Sequence, residues 1–338
     1  MSSMGDFEYQ SYFLRTCVIT VTYGNRLHLL KQVIEAVLGM GVGKLIVVDN
    51  GSGDETKIGI AKYIDIHGNC IECIDLLENR GSAGGFRSGL ERAAELDYDF
   101  IWLLDDDNKP IFNALEALIK NYYYLGNVPT NCLLSRRISY SNNQEKDCYR
   151  VVKSLPPNSF LGFHFKDILT KFKNIFSAKP SNDLDETTLD KLDCALYGGF
   201  FFHSSWLIAV GYPMSELFVD MDDIEYSERF LNQQAIIYNC SDSVILDIDT
   251  SWPNGNMFVS PNANEDRIYY SARNRIFLNK STNMVIVILN TTIYSIYLII
   301  LACVLFRNYR KVFMRLKLIY LAIRHGQRGL LGRRNIVP

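Results

Sequence analysis

Two rhythms alternate along the first hundred residues. Short unbroken apolar runs, TCVITVTY (16–23), KLIVVDN (44–50), CIECIDLLEN (70–79) and FIWLL (100–104), have the length and composition of strands, the third of edge type. Between them RLHLLKQVIEAVL (26–38), KIGIAKYI (57–64) and AGGFRSGLERAAEL (83–96) repeat with helical spacing. Alternation of this kind predicts right-handed crossovers and a mostly parallel α/β sheet covered on both faces. Such sheets take their ligands beyond the carboxyl ends of the strands. The polar residues that follow each run therefore share one crevice: Thr22, Tyr23, Asn25 and Arg26, then Asp49, Asn50, Gly51 and Ser52, then Asn79 and Arg80, and finally Asp105, Asp106 and Asp107.

Further along, the pattern loosens. Residues 131–190, with SLPPNSF and SAKPSNDLDETT, read as loops or an insertion. CALYGGFFFHSSWLIAVGYP (194–213) resumes apolar packing around a Gly-Gly bend, and ELFVDMDDIEYSERFLNQQA (216–235) opens a helix on a second acidic cluster. Residues 284–306 form a 23-residue run without a charge, long enough for the roughly 30 Å hydrocarbon core of a bilayer. Basic residues flank both of its ends, which leaves orientation unassigned, and VFMRLKLIYLAI (312–323) is basic and amphipathic. This predicts a helix pair lying in or dipping into the inner leaflet. A true span and a soluble helical pair are the alternatives, the last favoured by Asn290, Thr291 and Thr292.

Charge sharpens that division. The net charge of −2 over 338 residues conceals 13 Lys or Arg and no acid from Arg267 onward, leaving the other 22 basic residues and all 37 acidic ones upstream, a balance of about −15. An acidic body suits a metal-dependent site and a basic tail suits an anionic surface; no nucleic-acid partner is expected. With 48% hydrophobic residues the chain is not disordered. Eight cysteines include one close pair, Cys70 and Cys73, with no second pair to complete a zinc site, and read as reduced thiols of a cytosolic protein. MSSMGDFEYQSYFLR is not a signal peptide.

Three adjacent carboxylates at a strand end need compensation. Asp105 and Asp107 have the oxygen chemistry to share a hard divalent cation, Mg²⁺ or Mn²⁺, alongside a substrate phosphate. Asp106, on the opposite side of an extended backbone, would accept hydrogen bonds from a sugar hydroxyl or from neighbours in the sheet; a solvated acidic turn is the plainer alternative. ENRGSAGGFRSG (78–89) would let a backbone approach phosphates, with Arg80 or Arg87 nearby. It lacks Gly-Lys-Ser/Thr, and TYGNRLH lacks GxGxxG, which argues against a P-loop NTPase and an NAD enzyme. In FVDMDDIEYSERF, Asp220, Asp222, Asp223 and Glu225 supply either a general base or a helix cap.

VITVTYGNR, VVDNGS, ENRGSAGGFRSG, WLLDDD, YGGFFF, FVDMDDIEYSERF and YYSARNR occur in the order and approximate spacing of the inverting, GT-A fold glycosyltransferases of family 2. Over roughly residues 15–280 the chain most resembles the bacterial galactofuranosyltransferases. The resemblance implies a Rossmann-like GT-A domain over 15–265, with a nucleotide-sugar half at 15–130, variable segments at 131–190 and an acceptor half at 191–265. A basic, apolar helical region at 266–338 follows it. It places Thr22, Arg26, Asp49, Arg80, Gly84, Gly85, Asp105 and Asp106 about the donor, with Asp49 on the uracil, the arginines near base or diphosphate and the glycines near the sugar phosphate. Asp105 and Asp107 match the metal-binding DxD, Asp223 the general base, and Asp222 a neighbour that orients sugar or acceptor. Relatives carry a metal-binding His where this chain has Asp249, three residues before Trp252; a carboxylate there still suits Mn²⁺ or Mg²⁺. His203 reads as a packing residue.

The implied reaction is a single displacement with inversion, transferring galactofuranose from a UDP donor to a polyprenyl-diphosphate-linked oligosaccharide of a surface polysaccharide such as O-antigen. The implied place is the cytoplasmic face of the inner membrane, on anionic lipid. Rhamnose or galactopyranose transfer on the same fold is the near rival, because pocket shape is not written in motifs. An aspartyl phosphatase would want its paired aspartates on the first strand, and a non-enzymatic assembly partner would lack these acids.

Overall fold

All four early apolar runs form strands: β1 (Thr16–Gly24), β2 (Lys44–Ser52), β3 (Ile71–Asp75) and β4 (Phe100–Asp105). The computed structural model describes residues 11–141, 144–147, 155–167, 189–249, 263–279, 283–306 and 309–334. β3 stops short of the predicted residue 79 because Asp75 turns the chain: its Oδ1 accepts the Leu77 N–H at 2.9 Å, and Leu77 sits at φ 60°. The intervening helices are α1 (Leu27–Gly39), α2 (Asp54–His67) and α3 (Gly81–Ala94). α2 starts earlier than the apolar pattern, on Asp54 and Glu55, acids that suit a helix N-terminus.

Apart from a short helix at Trp206–Val210 and two 3-10 turns, the remaining strands and helices of this unit are β5 (Asn108–Pro110), α4 (Ala114–Tyr124), β6 (Asn131–Ser141), β7 (Gln144–Asp147), β8 (Lys191–Leu192), β9 (Phe200–His203), α5 (Asp222–Asn232) and β10 (Ile236–Asp247). β6 and β7 lie where the sequence reads as loops; SAKPSNDLDETT and Trp252 fall outside the described residues. Strand order is β3-β2-β1-β4-β9-β6-β10-β5, with β7 on β6 and β8 on β10. The pairs β1/β2, β2/β3, β1/β4 and β6/β10 are parallel, whereas β9 runs antiparallel between β4 and β6, and β5 antiparallel to β10.

Side-chain alternation splits the core into two layers. Ile19, Val21, Ile46 and Val48 point to the face covered by Phe86 and Leu90 of α3 and by Tyr226 and Phe230 of α5. Val18, Leu45, Val47 and Leu104 point to the other, under Leu30, Val33 and Val37 of α1 and Leu115 and Leu118 of α4. α3 comes very near the sheet: a Cβ on Gly85 would lie 2.4 Å from Val21 Cγ1.

Contacts divide the chain into this sheet unit (Met1–Val152, Glu186–Phe218, Asp222–Thr250) and a helical unit (Lys153–Asp185, Val219–Met221, Ser251–Pro338). The helical unit contains α6 (Glu265–Leu278), capped by the Asn264 side chain, α7 (Met284–Phe306) and α8 (Tyr309–Gln327). α6 and α8 meet where Tyr269 Oη lies 2.6 Å from His325 Nδ1, and Gly326 of α8 has room for no Cβ against the Arg273 carbonyl. Asn274 of α6 donates to the carbonyls of Val219 (3.0 Å) and Asp220 (2.7 Å).

α7 has two unlike faces. Asn290, Tyr294 and Leu298, at fourth-residue spacing, are buried. Asn290 Oδ1 accepts the Phe165 N–H at 2.8 Å, its Nδ2 donates to the Asn158 carbonyl at 2.9 Å, and the Phe163 ring stacks on Tyr294. Thr291 and Thr292 donate to carbonyls one turn back. Asn290, Thr291 and Thr292 are thus bonded within the protein, and Met284, Val285, Ile288, Ile296 and Ile300 are exposed.

Two substitutions test this packing. Asn290→Leu leaves the Phe165 amide and the Asn158 carbonyl without their partner, and is expected to cost about 1–3 kcal/mol in urea unfolding. Gly85→Ala forces α3 from β1 and is expected to lower stability by about 1–3 kcal/mol in the same measurement; an unchanged midpoint would show that the helix shifts freely.

Candidate active site

Register brings the acids together. Val21 of β1 pairs with Asp105 of β4, Thr22 with Asp49 of β2, and Asn108 of β5 with Asp247 of β10. Asp106 and Asp107 occupy the turn between β4 and β5, through which the chain leaves the sheet and rejoins it at the far edge. The Asp107 carbonyl accepts the Ile248 N–H at 3.0 Å, which pins the end of β10, and with it Asp249, beside that turn.

Five carboxylates, Asp105, Asp106, Asp107, Asp247 and Asp249, gather around two guanidinium groups. Arg26 donates from Nε to Asp106 (2.9 and 3.0 Å), from Nη2 to Asp107 Oδ2 (3.0 Å) and from Nη1 to Asp249 Oδ2 (2.8 Å). Arg137, in the middle of β6, donates to Asp247 Oδ2 at 3.1 Å and stands 3.5 Å from Asp105 and 3.9 Å from Asp107. Burial works against the charge of each arginine, but the surrounding acids outweigh it and hold both protonated. Burial pushes the Asp105 carboxyl up to about 7, with the Asp107 charge adding to it and Arg137 opposing it. Burial also raises Asp106, against Arg26, and Asp247, against Arg137.

Several expected site residues take more structural parts here. Thr22 is buried and donates to Asp106 Oδ2 at 2.7 Å, so both oxygens of Asp106 are engaged by Thr22 and Arg26 rather than turned toward a donor. Arg26 is directed at the acids instead of lying free for a base or diphosphate. Gly84 and Gly85 are the fourth and fifth residues of α3, where Gly85 packs closely on Val21 of β1. Asp49 is buried, and its Oδ1 accepts the Ser52 N–H at 2.8 Å. Arg80 is exposed at the start of α3; its backbone N–H is held by Asn50 Oδ1 at 2.7 Å.

At the second cluster the two acids separate. Asp222 is buried and accepts the Ser82 hydroxyl at 2.7 Å, tying α5 to α3. Asp223 opens α5, accepts the Ile224 N–H at 2.8 Å and lies near enough to Asp105 for its charge to raise that carboxyl further. Gly198 makes room there: a Cβ on it would meet Asp105 Oδ2 at 3.0 Å and Asn108 Oδ1 at 2.0 Å. His203 is remote, opposite Phe100 at the beginning of β4, with Nδ1 on Ser205. Arg137, Asp247 and Asn108 are the site residues that the sequence reading missed. An arginine inside the apolar run CLLSRRIS was the available signal.

The donor set fits a hard divalent cation. Asp105, Asp107 and Asp249 supply carboxylate oxygens, and two buried oxygens beside them, Asp247 Oδ1 and Asn108 Oδ1, have no hydrogen-bond partner. In the arrangement described the acids surround the guanidinium groups, and no three His, Cys, Asp or Glu side chains among the described residues converge as a ligand set.

Residues 17–176 match glycosyl transferase family 2. Over 277 residues the chain is 25% identical to galactofuranosyltransferase GlfT1 of Mycolicibacterium smegmatis, covering 78% of this chain and 82% of that one. The solved structure of GalNAc-T7 with UDP, GalNAc and Mn²⁺ superposes with a TM-score of 0.52 at 10% identity, over 78% of this chain and 50% of its own. S. aureus TarS 1-349 gives a TM-score of 0.47 at 15% identity, over 76% and 63%. The chain thus spans less than two thirds of either solved chain, and GalNAc-T7, at this identity, bears on the fold alone. Strand order and the acids at the carboxyl ends of the strands agree with a GT-A-like fold, and residues 17–176 match a family 2 glycosyltransferase domain.

Proposed function

We propose that the chain is an inverting galactofuranosyltransferase that uses UDP-galactofuranose and a lipid-linked saccharide acceptor. The observation that carries the catalytic reading is the placing of Asp222 and Asp223 at the start of α5, which the bond from Ser82 to Asp222 ties to α3, with Asp105 at the end of β4. The galactofuranose assignment rests on the GlfT1 relative, which is similar over most of both chains.

In this reading the acceptor hydroxyl oxygen forms its bond to the anomeric carbon from the face opposite the diphosphate. The bond from that carbon to the diphosphate oxygen breaks, UDP departs with the electron pair, and the hydroxyl proton passes to Asp223. One displacement inverts configuration and calls for no second nucleophilic carboxylate. Mn²⁺ or Mg²⁺, held by Asp105, Asp107 and Asp249, would supply charge neutralisation at the departing diphosphate; GalNAc-T7 was solved with UDP, GalNAc and Mn²⁺. Asp222, fixed by Ser82, keeps α5 in place so that Asp223 meets the acceptor.

The helical unit is read as the membrane-associating part, at the cytoplasmic face of the inner membrane. Support comes from the exposed apolar face of α7 and from the 13 basic and no acidic residues after position 266. Apolar side chains enter the interface while Lys and Arg meet anionic headgroups, where a polyprenyl-diphosphate acceptor is presented.

Purified protein offered UDP-galactofuranose, UDP-galactose, UDP-glucose and dTDP-rhamnose with Mn²⁺ and a lipid-linked acceptor is expected to release UDP from the furanose donor alone. Asp223→Asn should lower that turnover by about 10²–10⁴ with donor binding kept; release from another donor refutes the sugar. Truncation at residue 280 is expected to abolish co-sedimentation with anionic vesicles, and undiminished binding would refute the membrane role.

A further inference from the structure

Arg26 holds the acids as a cation would. Its planar fork spans three carboxylates at once, with Nη1 on Asp249, Nη2 on Asp107 and Nε on Asp106, each at 2.8–3.0 Å. The side chain is 17% exposed, against 8% for Asp249 and 6% for Asp107, so this is a largely desolvated ion cluster reached from one side. Five carboxylates face two arginines here, which leaves an excess of negative charge that attracts a further cation. Asp107 and Asp249 each present an oxygen to the same guanidinium group, and those two oxygens belong to the set that suits a hard divalent ion.

The two arginines differ in how they are held. Arg137 projects from the middle of β6 and stands 3.5–3.9 Å from Asp105 and Asp107. Arg26 follows β1 as the residue before α1, its guanidinium 5.3 Å from the Tyr23 ring centroid, on a long side chain that reaches the acids from the rim. A guanidinium and a divalent ion cannot share the space between Asp107 Oδ2 and Asp249 Oδ2, because metal–oxygen bonds of about 2.0–2.2 Å leave no room for N–H donors between them.

We infer that Arg26 and the divalent cation are alternative occupants of the space between Asp107 and Asp249. Arg26 is a built-in counter-ion that keeps these acids ordered without metal and is displaced when metal enters. Asp249 is then the acid that couples the two states, since it bonds Arg26 in one and the metal in the other. The inference rests on the metal-assisted reading above and goes beyond it by making metal affinity a contest with a residue of the chain.

The test is Mn²⁺ titration of the full chain without donor, following the EPR signal of free Mn²⁺. Arg26→Ala is expected to bind Mn²⁺ tighter than the unsubstituted protein, on the order of tenfold. Free guanidinium ion, below denaturing concentrations, should weaken Mn²⁺ binding to that variant far more than to the unsubstituted chain. Arg26→Lys keeps the charge but loses the fork, and is expected to fall between the two; it also serves if the alanine variant folds poorly. Arg26 variants that bind Mn²⁺ no tighter, or an alanine variant indifferent to guanidinium, overturn the inference. Tighter Mn²⁺ binding in a protein that turns over none of the offered donors would sink the proposed function and leave the exchange site standing.

Discussion

The carboxyl edge of this sheet is organised by the cost of placing five carboxylates close together, four of them largely withdrawn from water and Asp105 more open. Like charges at such range repel, and burial disfavours each ionised form. The protein answers with Arg26 from the end of β1 and Arg137 from within β6, so that every one of the five acids lies within 4.0 Å of a guanidinium nitrogen. Removing either arginine would take a guanidinium partner from the acids it bonds, and for buried pairs that loss is severe.

That constraint explains the topology around the site. β4 delivers Asp105 and then leaves the sheet, and the turn of Asp106 and Asp107 carries the chain to β5 at the opposite edge. β5 pairs with β10, which returns Asp247 and Asp249 to the same place. β6, parallel to β10, presents Arg137 among them. The long excursion between β4 and β10 thus closes a ring of charge rather than merely extending a sheet. Gly198, with no side chain, leaves space for Asp105 and Asn108 inside that ring.

The second acidic cluster shows how adjacent acids can divide tasks. Asp222 turns inward to Ser82 and locks α5 onto α3, whereas the next residue, Asp223, accepts the Ile224 N–H. Successive positions on a helix point about 100° apart, so the two neighbouring acids meet different surroundings. In the helical unit the same economy appears on α7, where a single row of residues bonds to the 155–165 segment and leaves an apolar row exposed.

Much of this was legible beforehand. Apolar runs of strand length alternating with helical periodicity settled the α/β class and the first four strands, because burial on both faces demands uninterrupted apolar residues. The same logic put Asp105 and Asp107 at a strand end and set Asp223 on a helix start. Tertiary structure alone decided which residues meet them. Arg137 and Asp247 lie far along the chain from Asp105, and only strand register brings them within reach. The engagement of Asp106 by Thr22 and Arg26, the packing of Gly85 on Val21 and the bonding of Asn290 to Phe165 and Asn158 depend likewise on where segments distant in sequence come to rest. Local pattern determines which elements form, because periodicity and burial act over a few residues; charge pairing and close approach are set by pairings across the whole chain, which no local pattern records.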